Sequence, residues 1–250
     1  MVHDDPGIAN LNQRHTPETQ QSADRRHEMV LETNPKLNGV DARHAAEHSS
    51  SAQVPPQATV LLAPPECASD KQFVSHITQL VNSVYAVEEK EFWRQQAGFT
   101  RTTAPDVEQW IRDGELAIAF RPEASSSIYV GAPTDLDGVL GCGHMSLAPG
   151  SSVAGFGAMA CRPSSRGLGI GRALLGFAEE WAKERVATEM QLEVLSPDGS
   201  WEHPMKTRLA AWYERAGYVT VRWGSVEVEL PHLASMIARP SRVRVLRKVL

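Results

Sequence analysis

Residues 166–171 are Arg166-Gly167-Leu168-Gly169-Ile170-Gly171, and they separate two stretches with different hydrophobic patterns. The preceding stretch, 154–161, consists of small or apolar residues throughout, which is typical of a buried strand. In the following stretch, from Ala173 to Arg185, apolar residues recur at helical spacing and charged residues occupy the opposite side. This order predicts a strand, a glycine-rich turn and a helix.

The glycine-rich turn has the properties of an anion site. Glycine has no Cβ, so a ligand can approach the backbone closely there. The first turn of the following helix has unpaired N–H groups at the positive end of the helix dipole, where phosphate groups commonly bind. The same glycines are also compatible with a purely structural turn that lets the helix pack closely on a sheet.

Two familiar phosphate-binding motifs do not fit the spacing of these glycines. A dinucleotide fingerprint requires G-x-G-x-x-G, whereas this turn has G-x-G-x-G. A phosphate loop requires a Gly-Lys pair, which the sequence lacks. The pattern that fits is R-x-x-G-x-G, with Arg166, Gly169 and Gly171 at its fixed positions.

This pattern resembles the signature of the GNAT superfamily of acyl-CoA-dependent N-acyltransferases. A second block, Leu209–Tyr218, is similar to the late helix of that superfamily, which carries a tyrosine and ends at a glycine-aromatic pair. The apolar stretch 190–195 lies between the two blocks and predicts another strand. The resemblance covers residues 58–250 and implies an α/β (α+β) fold, with a mixed, mostly antiparallel twisted sheet and helices on both faces. It also implies that strands 154–161 and 190–195 run parallel and splay apart around the cofactor.

The resemblance implies acetyl-CoA (CoA) as the cofactor, with its pyrophosphate on the glycine-rich turn and its acetyl carbonyl at the amide of Met159. Arg166 and Arg172 would add positive charge near the phosphates. The predicted cofactor-binding residues are Met159, Cys161, Arg166, Gly167, Leu168, Gly169, Ile170, Gly171 and Arg172. Relatives commonly have an aliphatic residue where Cys161 stands, so we expect this cysteine to act as a small apolar residue rather than as a nucleophile.

Tyr213 is the predicted general acid, because relatives place a tyrosine hydroxyl here near the cofactor sulfur, where it can protonate the leaving thiolate. The alternative is an ordinary core tyrosine beside Trp212. No carboxylate occurs in 154–161, so the general base must come from a neighbouring strand. The candidates are Glu193 and His144, although each also has a structural interpretation, as an ion-pair partner or a hydrogen-bonded core histidine. A water chain, or an amine that binds already deprotonated, is an equally open alternative.

Residues around the start of the tyrosine helix are predicted, by the same resemblance, to shape the acceptor pocket. They are Trp201, Glu202, His203 and Lys206. The implied function is an acetyl-CoA-dependent N-acetyltransferase that acts on a primary amine, in a small molecule or an exposed peptide, by direct attack in a ternary complex. Three alternatives stay open: a non-catalytic CoA or acyl-CoA sensor or interaction module, a longer-chain acyltransferase, or a domain carried by a partner-recruiting tail.

Residues 1–57 differ in composition from the rest of the chain, since they contain no Phe, Tyr or Trp and are rich in polar residues. Such a stretch cannot bury enough apolar surface to offset the entropy cost of ordering. We therefore predict a disordered tail, followed by one acyltransferase domain at 58–250. The histidines of the tail are scattered at wide intervals, which favours solvated side chains, and no metal site is predicted.

The composition also limits the partners and the setting. A formal net charge of -5 gives no electrostatic case for a nucleic acid, and no apolar run approaches the ~20 residues of a membrane helix. Cys67, Cys142 and Cys161 are too few for a disulfide framework, which favours a reducing, intracellular and cytoplasmic setting. The expected partners are acetyl-CoA and an amine substrate, and a homodimer is compatible with the sequence.

Outside the two motif blocks, hydrophobic periodicity predicts one helix from Phe73 and another from Thr103. It predicts strands at 58–63, 115–120, 138–147, 218–222 and 225–230, with a short pairing at 128–130. The final stretch, 242–250, alternates basic and apolar residues and is predicted to be an edge strand protected by its charge.

Overall fold

The computed structural model of the protein describes residues 58–94, 100–121 and 136–250. The predicted tail, 1–57, and the short pairing predicted at 128–130 lie outside the described residues. None of the helices within the described ranges is both long and apolar enough to span a membrane.

Within these ranges, seven strands form one sheet. They are β1 (Thr59–Leu62), β2 (Leu116–Phe120), β3 (Val139–Ser146), β4 (Val153–Cys161), β5 (Glu189–Pro197), β6 (Val219–Ser225) and β7 (Ser241–Val249). Their order across the sheet is β1-β2-β3-β4-β5-β7-β6, and every neighbouring pair is antiparallel except β4 and β5. The prediction of a mixed, mostly antiparallel sheet is confirmed.

Six α-helices lie within the described ranges, and the first two begin at side-chain caps. They are α1 (Lys71–Glu88), α2 (Ala104–Arg112), α3 (Ile170–Glu184), α4 (Pro204–Arg215), α5 (Val226–Glu229) and α6 (Pro231–Ala234). The Asp70 carboxylate accepts hydrogen bonds from two amides of the first turn of α1. Thr103 and Asp106 form a reciprocal capping box at the start of α2, where Pro105 occupies the first turn.

The helices cover both faces of the sheet, as the resemblance implied. Side chains alternate between the faces along β2, and this alternation separates two apolar cores. Leu116, Ile118 and Phe120 pack with α1 and α2. Ala117 and Ala119 pack on the other side in the core that includes α3 and α4. Both faces of β2 are therefore buried, with the large residues in one core and the alanines in the other.

The parallel strands β4 and β5 separate soon after they meet. Val153, Ala154 and Gly155 pair with residues 189–191, and no further pairing between the two strands follows within the described residues. The remaining parts of β4 and β5 therefore border a gap in the sheet. This gap is the splay that the resemblance implied.

The strand predicted at 225–230 is wrong beyond Ser225, because residues 226–229 form the single-turn helix α5. The alternating pattern of this stretch predicts a strand, but the buried pair is Val226 and Leu230, which are one helical turn apart. Val228 is exposed, and the Glu229 carboxylate turns back to form an ion pair with Arg222 of β6.

The prediction of an edge strand at 242–250 is also wrong, since β7 pairs with β5 on one side and β6 on the other. The edge strand at this end of the sheet is β6. The basic residues of β7 do not protect an edge; instead Arg244, Arg247 and Lys248 pair with carboxylates of the surrounding elements. Their charges are thereby balanced while the apolar residues between them are buried.

Candidate active site

The glycine-rich turn leads from β4 into α3 and presents a row of free backbone amides. Gly167 and Gly169 have φ angles of 79° and 78°, in the left-handed region that glycine adopts without strain. In the described part of the chain, the amides of residues 167–172 donate to no other backbone group. A helix of 15 residues begins at Ile170, so its dipole adds positive potential at the same point. These amides fit a diphosphate group.

The side chains around this turn have different environments. Leu168 and Arg172 are exposed, and Arg172 has no ion-pair partner among the residues described. Ile170 is buried in the core, so only its backbone is available to a ligand. The guanidinium of Arg166 lies 2.6 Å from a carboxylate oxygen of Glu88, at the end of α1. Of the two predicted phosphate-binding arginines, Arg166 is thus already paired with a carboxylate.

Strand β4 carries an irregularity next to the gap. Between Cys142 and His144 the register shifts, and two steps along β3 correspond to three along β4. The extra residue coincides with Ala158, whose φ of 45° is unfavourable for a residue that has a Cβ. A bulge of this kind takes backbone groups out of the strand ladder and changes the direction of neighbouring side chains. It directly precedes Met159, the residue predicted to meet the acetyl carbonyl.

A cleft follows the gap between β4 and β5 and has two parts. The outer part is the more open and has a volume of about 370 Å³; Cys161 and Arg166 are among its lining residues. The inner part is narrow, with about 40 Å³, and is lined by residues of both strands. The two parts share Tyr85, Glu89, Met159, Lys206 and Leu209. They therefore form one continuous candidate site.

Cys161 lies in the outer part of the cleft as a free thiol. Burial raises the pKa of this thiol to about 11, although the nearby Arg166 acts in the opposite direction. The thiol is protonated at neutral pH, and a protonated thiol is a poor nucleophile. This environment supports the expectation that Cys161 serves as a small apolar residue.

Tyr213 reaches the inner part of the cleft from α4. Its ring is buried and packs against Trp212 and Tyr218, with ring centroids 4.8 and 5.9 Å away. Burial raises the pKa of its hydroxyl well above the usual value, so the group keeps its proton. No hydrogen-bond partner for this hydroxyl occurs in the described segments. The hydroxyl therefore keeps its proton and is not engaged by another described residue.

Glu193 also lines the inner part, from the other face of the sheet. Its neighbours Leu192 and Val194 belong to the core that includes Tyr213, so alternation directs Glu193 to the opposite face. Its carboxylate accepts a hydrogen bond of 3.0 Å from the Gln191 side chain. Glu193 is exposed overall, but partial desolvation of its carboxylate is the largest influence on this group and raises its pKa, which increases its affinity for a proton.

His144, the second predicted base, is not brought to the cleft. Its Nε2 lies 3.2 Å from a carboxylate oxygen of Glu115, and its ring stacks on Trp110 at a centroid distance of 4.4 Å. Burial lowers the pKa of His144, while the hydrogen bond to Glu115 acts to raise it. This arrangement is that of a hydrogen-bonded structural histidine.

Of the residues predicted to shape the acceptor pocket, only Lys206 lines the cleft. Trp201 and His203 instead pack against Phe92, with centroid distances of 4.8 and 5.0 Å. Glu202 is exposed and lines neither part of the cleft.

Sequence reasoning missed Glu89, which lies in both parts of the cleft and forms a buried ion pair with Lys206. Residues 88–91 are Glu-Glu-Lys-Glu, a charged run that indicates a solvated helix end. The only sequence signal for Glu89 was indirect. Lys206 was predicted to face the acceptor, and a lysine buried in such a pocket requires an acidic partner. Arg101 was missed as well; it lines the inner part and lies over the ring of Tyr85.

The sequence model of the acetyltransferase (GNAT) family matches residues 85–218, which is more than half of the chain. The match includes the glycine-rich turn, both splayed strands and Tyr213. This protein therefore belongs to the GNAT family of acetyltransferases. A search of curated proteins found no match.

Several solved structures are similar to this chain at low sequence identity. One is a chain of the NatC complex bound to Gag peptide and CoA, with 13% identity and a TM-score of 0.51; 78% of this chain and 99% of that chain are covered. A ribosomal-protein-alanine N-acetyltransferase from Brucella melitensis has 17% identity and a TM-score of 0.48, with 77% and 99% covered. A GCN5-related N-acetyltransferase from Kribbella flavida has 17% identity and a TM-score of 0.47, with 78% and 99% covered.

Proposed function

We propose that this protein transfers the acetyl group of acetyl-CoA to a primary amine, by direct attack in a ternary complex. The observation that carries the proposal is the gap between β4 and β5. It has free backbone amides at the glycine-rich turn, and a proton donor and a proton acceptor, Tyr213 and Glu193, on opposite faces of the sheet.

The residues present fit acetyl-CoA. The free amides of 167–172 would hold the diphosphate, and the exposed Arg172 would add positive charge. The outer part of the cleft has room for the chain that joins the diphosphate to the sulfur. Bound acetyl-CoA would supply the thioester carbonyl that accepts the amine, with CoA thiolate as the leaving group. The Met159 amide, next to the bulge in β4, would donate to the carbonyl oxygen as negative charge develops there.

Two side chains would move the protons of the reaction. Glu193 would take one proton from the amine nitrogen as the new C–N bond forms, and its raised pKa suits it to this task. Tyr213 would give its proton to the sulfur as the C–S bond breaks, since its hydroxyl is protonated and has no other hydrogen-bond partner in the described segments. Each transfer has its own side chain, so one proton is removed and one is supplied in each turnover.

The setting we propose is intracellular, where thiols stay reduced. Cys67, Cys142 and Cys161 are all free thiols in the structure, and burial raises the pKa of each of them. None of the three is paired in a way that would need an oxidising compartment.

A free-thiol assay tests the proposal. Purified protein is mixed with acetyl-CoA and a panel of primary amines, and thiol release is compared with an amine-free control. Amine-dependent release together with acetylated product supports the proposal. Calorimetric binding of acetyl-CoA without thiol release from any amine would favour the sensor alternative, and absence of binding would refute both.

A further inference from the structure

The cleft contains a buried ion pair with one unused acceptor. Glu89 caps the end of α1, and its side chain is 4% exposed. The Lys206 ammonium, 6% exposed, donates to Oε1 of Glu89. The other oxygen, Oε2, is buried and has no hydrogen-bond partner in the described structure. A buried carboxylate oxygen without a donor loses its hydration and gains nothing in exchange.

Glu179 shows what a comparable carboxylate looks like when both oxygens are used. It also lies largely buried beside a lysine, and its Oε2 accepts from Lys248 at 2.8 Å. Its Oε1 accepts from the hydroxyl of Tyr218 at 3.0 Å. Glu179 lines neither part of the cleft. Of these two carboxylates, the one that lines the cleft, Glu89, is thus the one with an oxygen that has no hydrogen-bond partner among the described residues.

Glu89 lies in the same part of the cleft as the residues proposed to carry out the reaction. Glu89 lines both parts of the cleft, and the inner part also contains Met159, Glu193 and Tyr213. The inner part has a volume of about 40 Å³, which is enough for a group the size of a water molecule or an ammonium. The group missing at Oε2 is a hydrogen-bond donor, and a cationic donor satisfies a carboxylate best.

We propose that the acceptor amine binds as an ammonium ion, with one N–H donated to Oε2 of Glu89. This inference rests on the proposed function and narrows its acceptors to aliphatic primary amines that are protonated at neutral pH. Lys206 holds the carboxylate through Oε1, which leaves Oε2 for the ligand. Glu193, which also lines the inner part, takes one proton from the ammonium and passes it to solvent before the nitrogen attacks. It then takes the second proton as the C–N bond forms, and this proton replaces the one that Tyr213 gives to the sulfur. Glu89 thus binds and orients the acceptor while Glu193 serves as the base.

Binding without turnover tests this inference, with n-hexylamine as the cationic probe and 1-hexanol as its neutral counterpart. Both are titrated by calorimetry into protein saturated with CoA. We expect wild-type protein to bind hexylamine at least about tenfold more tightly than hexanol. Glu89→Gln should lose this preference while its affinity for CoA stays within about twofold.

Glu179→Gln is the matched control, because it neutralises a carboxylate paired with a lysine outside the cleft. It should keep the full preference for hexylamine. If Glu89→Gln does not fold, the double variant Glu89→Gln/Lys206→Met removes both charges of the pair and should fold without the preference. Wild-type protein with no preference for the amine, or a Glu89→Gln protein that retains it, would overturn the inference.

The failure of this inference is distinguishable from failure of the proposed function. The binding experiment uses no acetyl group, so its result does not depend on catalysis. If amines release thiol but Glu89→Gln leaves the KM for the amine unchanged, the proposed function stands and the role of Glu89 is wrong. If no amine releases thiol, the proposed function is wrong irrespective of the binding result.

Discussion

Glu193 and Tyr213 line the same narrow part of the cleft from opposite faces of the sheet. The separation of β4 and β5 makes this possible, because a fully paired sheet would keep the two side chains apart. The base would then act on the side from which the amine arrives, and the acid on the side that includes α4. The next two predictions, for Tyr213→Phe and Glu193→Gln, depend on this arrangement.

Tyr213→Phe should lower kcat by about a hundredfold, since it removes the proton donor for the leaving thiolate. The fold should persist, because the hydroxyl has no hydrogen-bond partner among the described residues and the ring retains its packing. Steady-state kinetics with an amine that the wild type accepts measures the effect, and calorimetry checks that acetyl-CoA affinity is unchanged. An unaltered kcat would show that Tyr213 is a core residue only.

Glu193→Gln should remove the acidic limb of the pH–rate profile. A base acts only when deprotonated, so the wild-type rate should fall as the pH is lowered through the raised pKa of Glu193. Glutamine does not titrate, so the variant should show a low rate with no decline from this group. His144→Gln is the control and should keep the limb, because His144 lies outside the cleft. The opposite pattern would assign the base to His144.

The elements that the sequence predicted well are those with strong local signals. The strand before Arg166 and the helix after Gly169 follow from periodicity and from glycine positions alone, and both are confirmed. The stretch 225–230 shows the limit of the same method. Its alternation suits a strand, but a strand would place Val228 on the same face as Val226 and Leu230. Val228 is exposed while the other two are buried, which is the pattern of a helical turn.

The residues of the candidate site were harder to predict from the sequence, because they are brought together by tertiary contacts. Sequence reasoning gave Glu193 and His144 equal weight, and only the packing shows that one lies in the cleft and the other beside Glu115. Glu89 was not predicted, because its partner Lys206 is 117 positions away in the chain and the sequence does not show that the two meet. Charged runs such as 88–91 are ordinarily solvated, and only the packing of the folded protein shows that one residue of this run is buried.

Gly169→Ala should weaken CoA binding and lower stability. Gly169 has a φ of 78° at the start of α3, so a Cβ costs about 1 kcal/mol there and perturbs the amides that would meet the diphosphate. Gly150→Ala is a matched control: its φ is 75°, a Cβ meets nothing within 4 Å at either glycine, and Gly150 lies in the turn between β3 and β4. Thermal unfolding should show similar losses for both variants, with calorimetry showing weaker CoA binding for Gly169→Ala alone. Equal CoA affinity in the two variants would contradict the assignment of the turn.

Glu88→Gln should tighten CoA binding about two- to threefold at low ionic strength, because the Glu88 carboxylate pairs with the Arg166 guanidinium, for which we propose a contact with the phosphates. Removal of the carboxylate frees that cation, and the gain should shrink at about 0.5 M salt, where exposed charges are screened. The control is Glu180→Gln, which breaks an exposed pair with Lys183 on α3 that does not line the cleft. Calorimetric titration with CoA at both salt concentrations measures the effect. Weaker binding by Glu88→Gln would mean that the ion pair supports the bound state, with Arg166 bridging α1 and the glycine-rich turn instead of moving to a phosphate.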